Sequence, residues 1–430
     1  MLQLILIDLL NFLISLLTLR VLFIYKSNIK NITPIFVIAL FLSALVFIPY
    51  NILYIFTKFH INGPQYEFIY YISNEVKYDY ALSILLYQAS ILLILVIFYK
   101  ENFRLNRIVV LNSNLRNSYK FFIGILILFG LYLYIDSGVI SNIANLLTSA
   151  DKLYLFRQAM GDFSAALDSE IFMVYVYSLM SILFIMMYYL LDNAILRGVL
   201  FTMGCFIIAI SFQKMQLFLF IIFAFLISNQ YKLNFLKLTF IFGLFTTLYS
   251  LAMIDYMNTP FDPVLGIISR ATFTPHIMNL INYEYVDKYG YIGPHISKLH
   301  SLIVGVNFEP NNRLVFEVSD AVFRFEKGFS TNASFVGSSW ISYGRVGFFI
   351  DLFFIIGILV FLEVCFLFIN DRTTRSLLLI IQGYGIVHLT NTQLLTWAGM
   401  HGALKYSLII ILMHIFYKIM IKMSIKSRNS

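Results

Sequence analysis

The sequence predicts an all-α polytopic membrane protein of about 11 transmembrane helices, within a range of about 10–12, and one large extracytoplasmic loop. Three observations predict it. Of 430 residues, 60% are hydrophobic and only 12% are charged, against about a quarter charged in soluble domains. The apolar residues gather in runs close to the ~20 residues that a helix needs to cross the hydrocarbon core. Lysine and arginine gather in alternate connections between those runs, the pattern that sets orientation in a bilayer.

The first run, 2–24, lies in LQLILIDLLNFLISLLTLRVLFIYK. It lacks a basic start and a small-residue cleavage site, so it reads as a retained helix and not a cleaved signal. Runs at 34–57, 78–99, 120–138 and 170–191 follow. The next two, 197–212 and 214–229, are shorter than the ~17-residue lower bound for a span. They read as a helical hairpin or as deeper elements shielded by neighbours. Four more runs, 236–255, 346–369, 376–396 and 402–420, complete the set. Asp8 and Glu363 sit within apolar runs and are expected to pair inside the bundle. The 44 Phe and 29 Tyr suit packed spans with interfacial belts. Cys205 and Cys365 lie inside apolar runs, so no disulfide or thiolate–metal framework is expected. No repeat, low-complexity tract or linker divides the chain, which reads as a single integral membrane domain over 1–430.

The basic connections are KSNIKN, KENFRLNR with Arg116 and Lys120, Arg197, YKLNFLK, DRTTR and the C-terminal KIMIKMSIKSR. By the positive-inside rule they are cytoplasmic, with the N-terminus outside and the C-terminus inside. The net charge of +8 is then a topology signal and implies no nucleic-acid partner. Three segments face outward: 58–77, 139–169 and the large loop 256–345. A connection as long as the last is uncommon unless it is functional.

Several chemistries are excluded. There is no GxxxxGK[ST] or GxGxxG phosphate loop, and no HExxH or paired-cysteine spacing, so neither a cofactor nor a metal is expected. No acidic pair follows the first helix on the outer face, as a single-sugar transferase using a lipid-phosphate sugar would carry. Outward cations remain. In 141–161 the residues Ile143, Leu146, Leu147, Ala150, Leu153 and Phe156 recur at helical spacing beside Lys152 and Arg157. In 262–285 the residues Val264, Ile267, Ile268 and Ala271 face one way before Pro275 interrupts, and Arg270 and His276 ride along. Both segments are expected to lie along the outer headgroup plane. A guanidinium there binds phosphate bidentately, or snorkels to lipid headgroups. Lys214, between two short runs and flanked by Gln213 and Gln216, faces a cavity or partner, or is a turn lysine at the outer surface. His295 and His300 are five apart, not at the i, i+4 spacing of a helical metal pair, so His300 or His276 is read as a general base or a surface residue. His388 and His401 bracket LTNTQLLTWAGM and are expected to bond neighbouring helices or line a cavity.

The stretch GFSTNASFVGSSWISYGRVGFF, 328–349, closes the large loop and leads into an apolar helix. It resembles the O-antigen polymerase (Wzy-type) family through Gly328, Ser330, Ser334, Phe335, Gly337, Tyr343, Gly344 and Gly347. It departs from that family at Ser338 and Ser339, where an acidic residue often follows the glycine. The overall layout, with Lys214 opening a mid-chain helix and Arg270 early in the loop, is similar as well. The resemblance implies a GT-C-like architecture and a metal-independent, inverting glycosyltransferase in a bacterial inner membrane. Its donor and acceptor are undecaprenyl-diphosphate-linked oligosaccharides, its product O-antigen or capsular polysaccharide, and its partners a chain-length regulator and membrane lipids. A diphosphate leaving group needs cations and no general acid; Arg270, Arg157 and Lys214 are the candidates. His300 is the candidate base. Ser330, Asn332 and Ser334, with Tyr343 and Arg345, are the candidate substrate contacts. A lipid-linked oligosaccharide flippase would show twelve or more spans and short loops throughout. A non-enzymatic transporter would show paired repeats or broken helices in matched halves, and neither pattern is seen in the sequence.

Overall fold

The computed structural model describes residues 2–26, 32–58, 72–104, 112–136, 180–210, 214–228, 273–293, 298–307, 318, 321, 334–389 and 403–428. Of these residues 93% are helical and none forms a strand. In chain order the helices are α1 (Leu2–Lys26), α2 (Pro34–Leu42), α3 (Ile48–Lys58), α4 (Asn74–Arg104), α5 (Ser113–Asp136), α6 (Met180–Leu190), α7 (Ala194–Ile210), α8 (Lys214–Ser228), α9 (Thr274–Tyr289), α10 (Lys298–Val304), α11 (Phe335–Phe368), α12 (Arg372–Leu389) and α13 (Ala403–Arg428). Six stretches among the described residues are long and apolar enough to cross a membrane: Leu2–Ile24, Pro34–Leu53, Asn74–Phe98, Ser113–Ile135, Phe335–Phe368 and Ala403–Ile421. The chain is a membrane-embedded helical protein. The predicted run 236–255 lies outside the described residues.

The described helices fall into two compact units. One contains α1–α4 and α9–α11, the other α5–α8, α13 and the Arg372–Tyr384 part of α12.

In the first unit α1 turns its apolar side outward: Leu2, Phe12, Leu16 and Phe23 are exposed, as lipid-facing residues are. Its inward stripe is polar. Asn11 donates to the Ala81 carbonyl (3.0 Å), Ser15 bonds Asn51 (2.7 Å) and the Gln88 amide, and Asp8 accepts from the Tyr50 hydroxyl (2.7 Å). Lipid tails are as apolar as leucine, so hydrogen bonds between helices supply part of the association that hydrophobic burial supplies in water. The predicted run 34–57 is one span built of α2, a π-helical turn (Ser43–Phe47) and α3. Pro49 accounts for the turn, because it has no N–H and its ring crowds the carbonyl four residues back. The amide before it, on Ile48, reaches five residues back to Ser43. The start of α2 is closed by side chains. Thr33 accepts from the Phe36 amide, Pro34 has no N–H to satisfy, and the Glu363 carboxylate of α11 accepts from the Ile35 amide at 3.1 Å.

In the second unit the two short helices α7 and α8 pack together. The rings of Phe201 and Phe220 stack with centroids 5.6 Å apart, and Gly204 has no side chain to obstruct Phe220. The C-terminus of α6 is capped by cations: Arg116 donates to the Leu190 carbonyl (2.9 Å) and Arg197 to that of Leu191 (2.6 Å). Cations there satisfy orphan carbonyls and complement the helix dipole. Asp371 opens α12 by accepting from Thr374 and from the Asn112 amide.

Two boundaries differ from the sequence reading. Helix α11 starts at Phe335 and not at 346, because the small polar residues before 346 are buried within it. Pro275 opens α9 where an interruption of 262–285 was expected, since its missing N–H is harmless in a first helical turn. Residues 275–284 are all buried within the protein, so this part of the segment has no exposed polar side.

Candidate functional site

The site is built around a break in α11. Residues 343–344 leave helical geometry: Tyr343 has φ −143°, ψ 31° and Gly344 φ 57°, ψ −134°. The second conformation strains any residue with a Cβ, which accounts for glycine at 344. The break divides α11 into 335–342 and 345–368. Backbone groups freed inside a membrane need new partners; the carbonyl of Ile341 accepts from the Ile292 amide at 3.0 Å.

The first half of α11 is anchored by α9. Ser334 is its N-cap and accepts from the Val336 amide (3.3 Å). Asn279 then caps the same end from α9. Its Oδ1 accepts from the amides of Ser334 (3.0 Å) and Gly337 (3.2 Å). Its Nδ2 donates to the Ser334 and Tyr80 hydroxyls (2.8 and 3.0 Å). Trp340 stacks on Tyr283 of α9 with centroids 4.2 Å apart. Tyr80 of α4 meets His276 Nδ1 at 2.5 Å. Burial pushes the His276 imidazole down to about 4, and a bond toward the Val46 carbonyl offsets this only in part.

The second half of α11 holds His300. Helix α10 turns His300 and Ser301 inward, while Leu302, Ile303 and Val304 are exposed. His300 Nε2 lies 2.7 Å from Asp351 Oδ1 of α11, and the two side chains are only 1% and 5% exposed. The Tyr343 hydroxyl meets Ser301 at 3.4 Å, and its ring is 6.3 Å from the His300 ring. Gly347 makes the approach possible: a methyl there would run into the Ser339 carbonyl and lie 3.4 Å from His300 Nδ1. Tyr87 of α4 fills the floor between Phe335 (4.8 Å) and Phe348 (5.1 Å). Beside the break Arg345, largely exposed, donates to Asp79 of α4 at 3.3 Å.

Among the residues predicted for the site, the structure sets Tyr343 beside His300, while Ser334 at the start of α11 and Arg345 just after the break lie in the same unit with partners of their own, Asn279 and Asp79. The hydroxyl of Ser334 is engaged in capping, and His300 is buried on a helix. Lys214 begins α8 in the second unit. Arg157, Arg270, Ser330 and Asn332 lie outside the described residues. Asp351 and Asn279 were missed by sequence reasoning. Asp351 is a lone carboxylate in an apolar run, the same signal that marks Asp8 and Glu363. Asn279 belongs to a stripe of His276, Asn279 and Tyr283 at helical spacing. Among the described residues no three His, Cys, Asp or Glu side chains gather as a metal site would need.

A histidine seated by a carboxylate at a helix break can accept a proton from a hydroxyl. Compared with family models, with curated proteins and with solved structures, the chain matches none of them.

Proposed function

We propose that the chain is an inverting, metal-independent glycosyltransferase that polymerises undecaprenyl-diphosphate-linked oligosaccharide repeat units, as an O-antigen polymerase does. The observation that carries this reading is the joint task of the residues in the 328–347 motif. Ser334 and Gly337 take their cap from Asn279, Gly344 breaks the helix, and Gly347 admits His300. A glycine-rich cap before an ordinary helix requires neither the break nor the histidine.

In this reading about eleven spans form a GT-C-like bundle in a bacterial inner membrane, with the N-terminus outside and the C-terminus cytoplasmic. The growing chain passes from its diphosphate carrier to the non-reducing end of an incoming unit on the outer face, building O-antigen or capsule. Arg270, Arg157 and Lys214 stabilise the departing diphosphate, which makes a general acid unnecessary. Ser330 and Asn332 bond sugar hydroxyls, Arg345 joins them on leaving Asp79, and His300 takes the acceptor proton. A chain-length regulator is the expected protein partner. The test is the surface polysaccharide of a deletion strain, resolved on a gel. Caps of a single repeat unit support a polymerase; a normal polymer ladder overturns it.

The break at Tyr343–Gly344 also favours a second reading, since discontinuous helices line transport sites. A lipid-linked oligosaccharide flippase would lose polymer and single-unit caps together on the same gel.

A further inference from the structure

A rim of charge marks one end of the spans in the first unit. Arg345, just after the break in α11, donates to Asp79 near the start of α4. Glu75 of α4 and Asp287 of α9 lie within electrostatic reach of that carboxylate. Tyr289 and Tyr291 are exposed at the end of α9, with the Tyr291 ring 5.8 Å from that of Tyr343, as aromatic residues are at a membrane interface. Beyond this rim α11 turns large apolar residues outward, Val346 (57% exposed), Phe349 (56%) and Phe353 among them. On a helix long and apolar enough to span, such a surface meets hydrocarbon.

The seven-residue helix α10 packs past that rim. Its His300 meets Asp351, which follows Arg345 by six residues and so lies about 9 Å farther along the helix axis. The His300 ring also lies against Gly347, one residue after the exposed Val346 and two before the exposed Phe349. Hydrocarbon therefore reaches the level at which α10 is seated. With His300 and Ser301 turned inward, α10 shows Leu302 (73% exposed), Ile303 and Val304 outward, followed by Val306. An exposed aliphatic patch of this kind marks a surface that meets something apolar. The end of α10 suits such a place. Gly305, at φ 81°, turns the chain back so that the Val306 amide donates to the Ser301 carbonyl at 2.8 Å. This closure satisfies an end carbonyl internally, as backbone in hydrocarbon requires.

We propose that α10 is a membrane-seated element, whose Leu302, Ile303, Val304 and Val306 lie among the acyl chains of the leaflet that adjoins the break. The partner of this surface is lipid. The stretch predicted to be an extracytoplasmic loop dips into the bilayer at α10, which gives the break at Tyr343–Gly344 a lipid-facing flank. The placement is independent of the polymerase reading.

The test uses the full chain in lipid nanodiscs, with Cys205 and Cys365 replaced by alanine. A spin label is carried by one new cysteine at a time: Leu302→Cys, Ile303→Cys, Phe353→Cys as the lipid-facing reference, or Glu75→Cys as the reference at the charged rim. Collision with oxygen, which concentrates in hydrocarbon, is compared with collision with a water-soluble nickel chelate. The oxygen-to-nickel ratio at 302 and 303 is expected to lie several-fold above that at 75 and on the side of that at 353. A ratio like that at 75 puts α10 in water and overturns the proposal. Exclusion of both probes means that protein covers the face, and overturns it as well. A photo-crosslinker at Val304 then identifies the neighbour. Adducts with acyl chains support the proposal; adducts confined to the chain itself or to a second copy overturn it. Two labelled positions and a separate crosslinking site keep the outcome independent of whether any one variant folds.

Discussion

Arg345, the first residue after the break in α11, donates from its guanidinium to the Asp79 carboxylate of α4 at 3.3 Å. The pair is open, with side-chain exposures of 73% and 25%. Exposed ion pairs stabilise a fold by less than about 1 kcal/mol. Arg345→Ala is therefore expected to leave thermal stability in detergent nearly unchanged, with a double-mutant coupling to Asp79→Asn below about 1 kcal/mol. Polymer lost from that variant at normal abundance would then report a missing substrate contact. A coupling of several kcal/mol would mean that the arginine is a structural latch.

The glycines of the break should rank by geometry. Gly344→Ala places a Cβ at φ +57°, ψ −134° and is expected to cost about 1–3 kcal/mol. Gly347→Ala drives a methyl into the Ser339 carbonyl, and overpacking of that kind costs about 1–3 kcal/mol. Gly357, farther along α11, has nothing within 4 Å of a built Cβ. Gly357→Ala should be neutral, or stabilising by up to about 1 kcal/mol through helix propensity. Unfolding midpoints of the three purified variants test the order; a Gly357 variant as unstable as the other two would refute it.

His276 makes stability depend on pH. The folded protein keeps it neutral down to about 4, whereas its ordinary value is 6.5. Between those values the unfolded chain binds more protons, so stability is fully present above about 6.5 and falls as pH drops toward 4. The loss is on the order of 3 kcal/mol. Denaturant unfolding at several pH values, for wild type and His276→Gln, measures it. Parallel curves for the two proteins would show that His276 contributes nothing to the acid sensitivity.

Asn279 should be costly to remove, because one side chain satisfies two amides and two hydroxyls. Asn279→Ala leaves buried donors without acceptors and is expected to destabilise by about 1–3 kcal/mol. Fraying of α11 before the break, read by amide exchange at Phe335–Gly337, is the local signature. Protection equal to wild type would show that Ser334 caps the helix unaided.

Helices were legible wherever apolar runs are long, since burial in lipid needs only composition and length. The short pair α7 and α8 was legible for the opposite reason: two runs too short to span must pack on neighbours. The motif at 328–347 stood out by its composition, but not as a break, because φ at Gly344 leaves no periodic trace. The environment of α9 was hidden. Its buried polar residues find partners on α4 and α11, with Tyr80 separated from His276 by 196 positions and Asn279 from Ser334 by 55. Local periodicity carries no record of such pairs, so a segment like TPHIMNLINYEY reads as loop or interface. Asp351 needed only the lone-carboxylate rule applied once more.

The bond from the Ile35 amide to Glu363 spans 328 positions of sequence. Ribosomes add about 5–20 residues per second, so α2 waits roughly 15–65 s after its own synthesis for the carboxylate that completes its first turn. A bare amide in hydrocarbon costs several kcal/mol. During that interval the nascent chain is expected to keep the start of α2 near headgroups or an insertion chaperone, and to seat it only when α11 arrives. Ribosome-stalled chains ending before and after Phe368, carrying a photo-crosslinker at Ile35, would show the hand-over. Identical crosslinks to lipid at both lengths would mean that α2 settles without waiting.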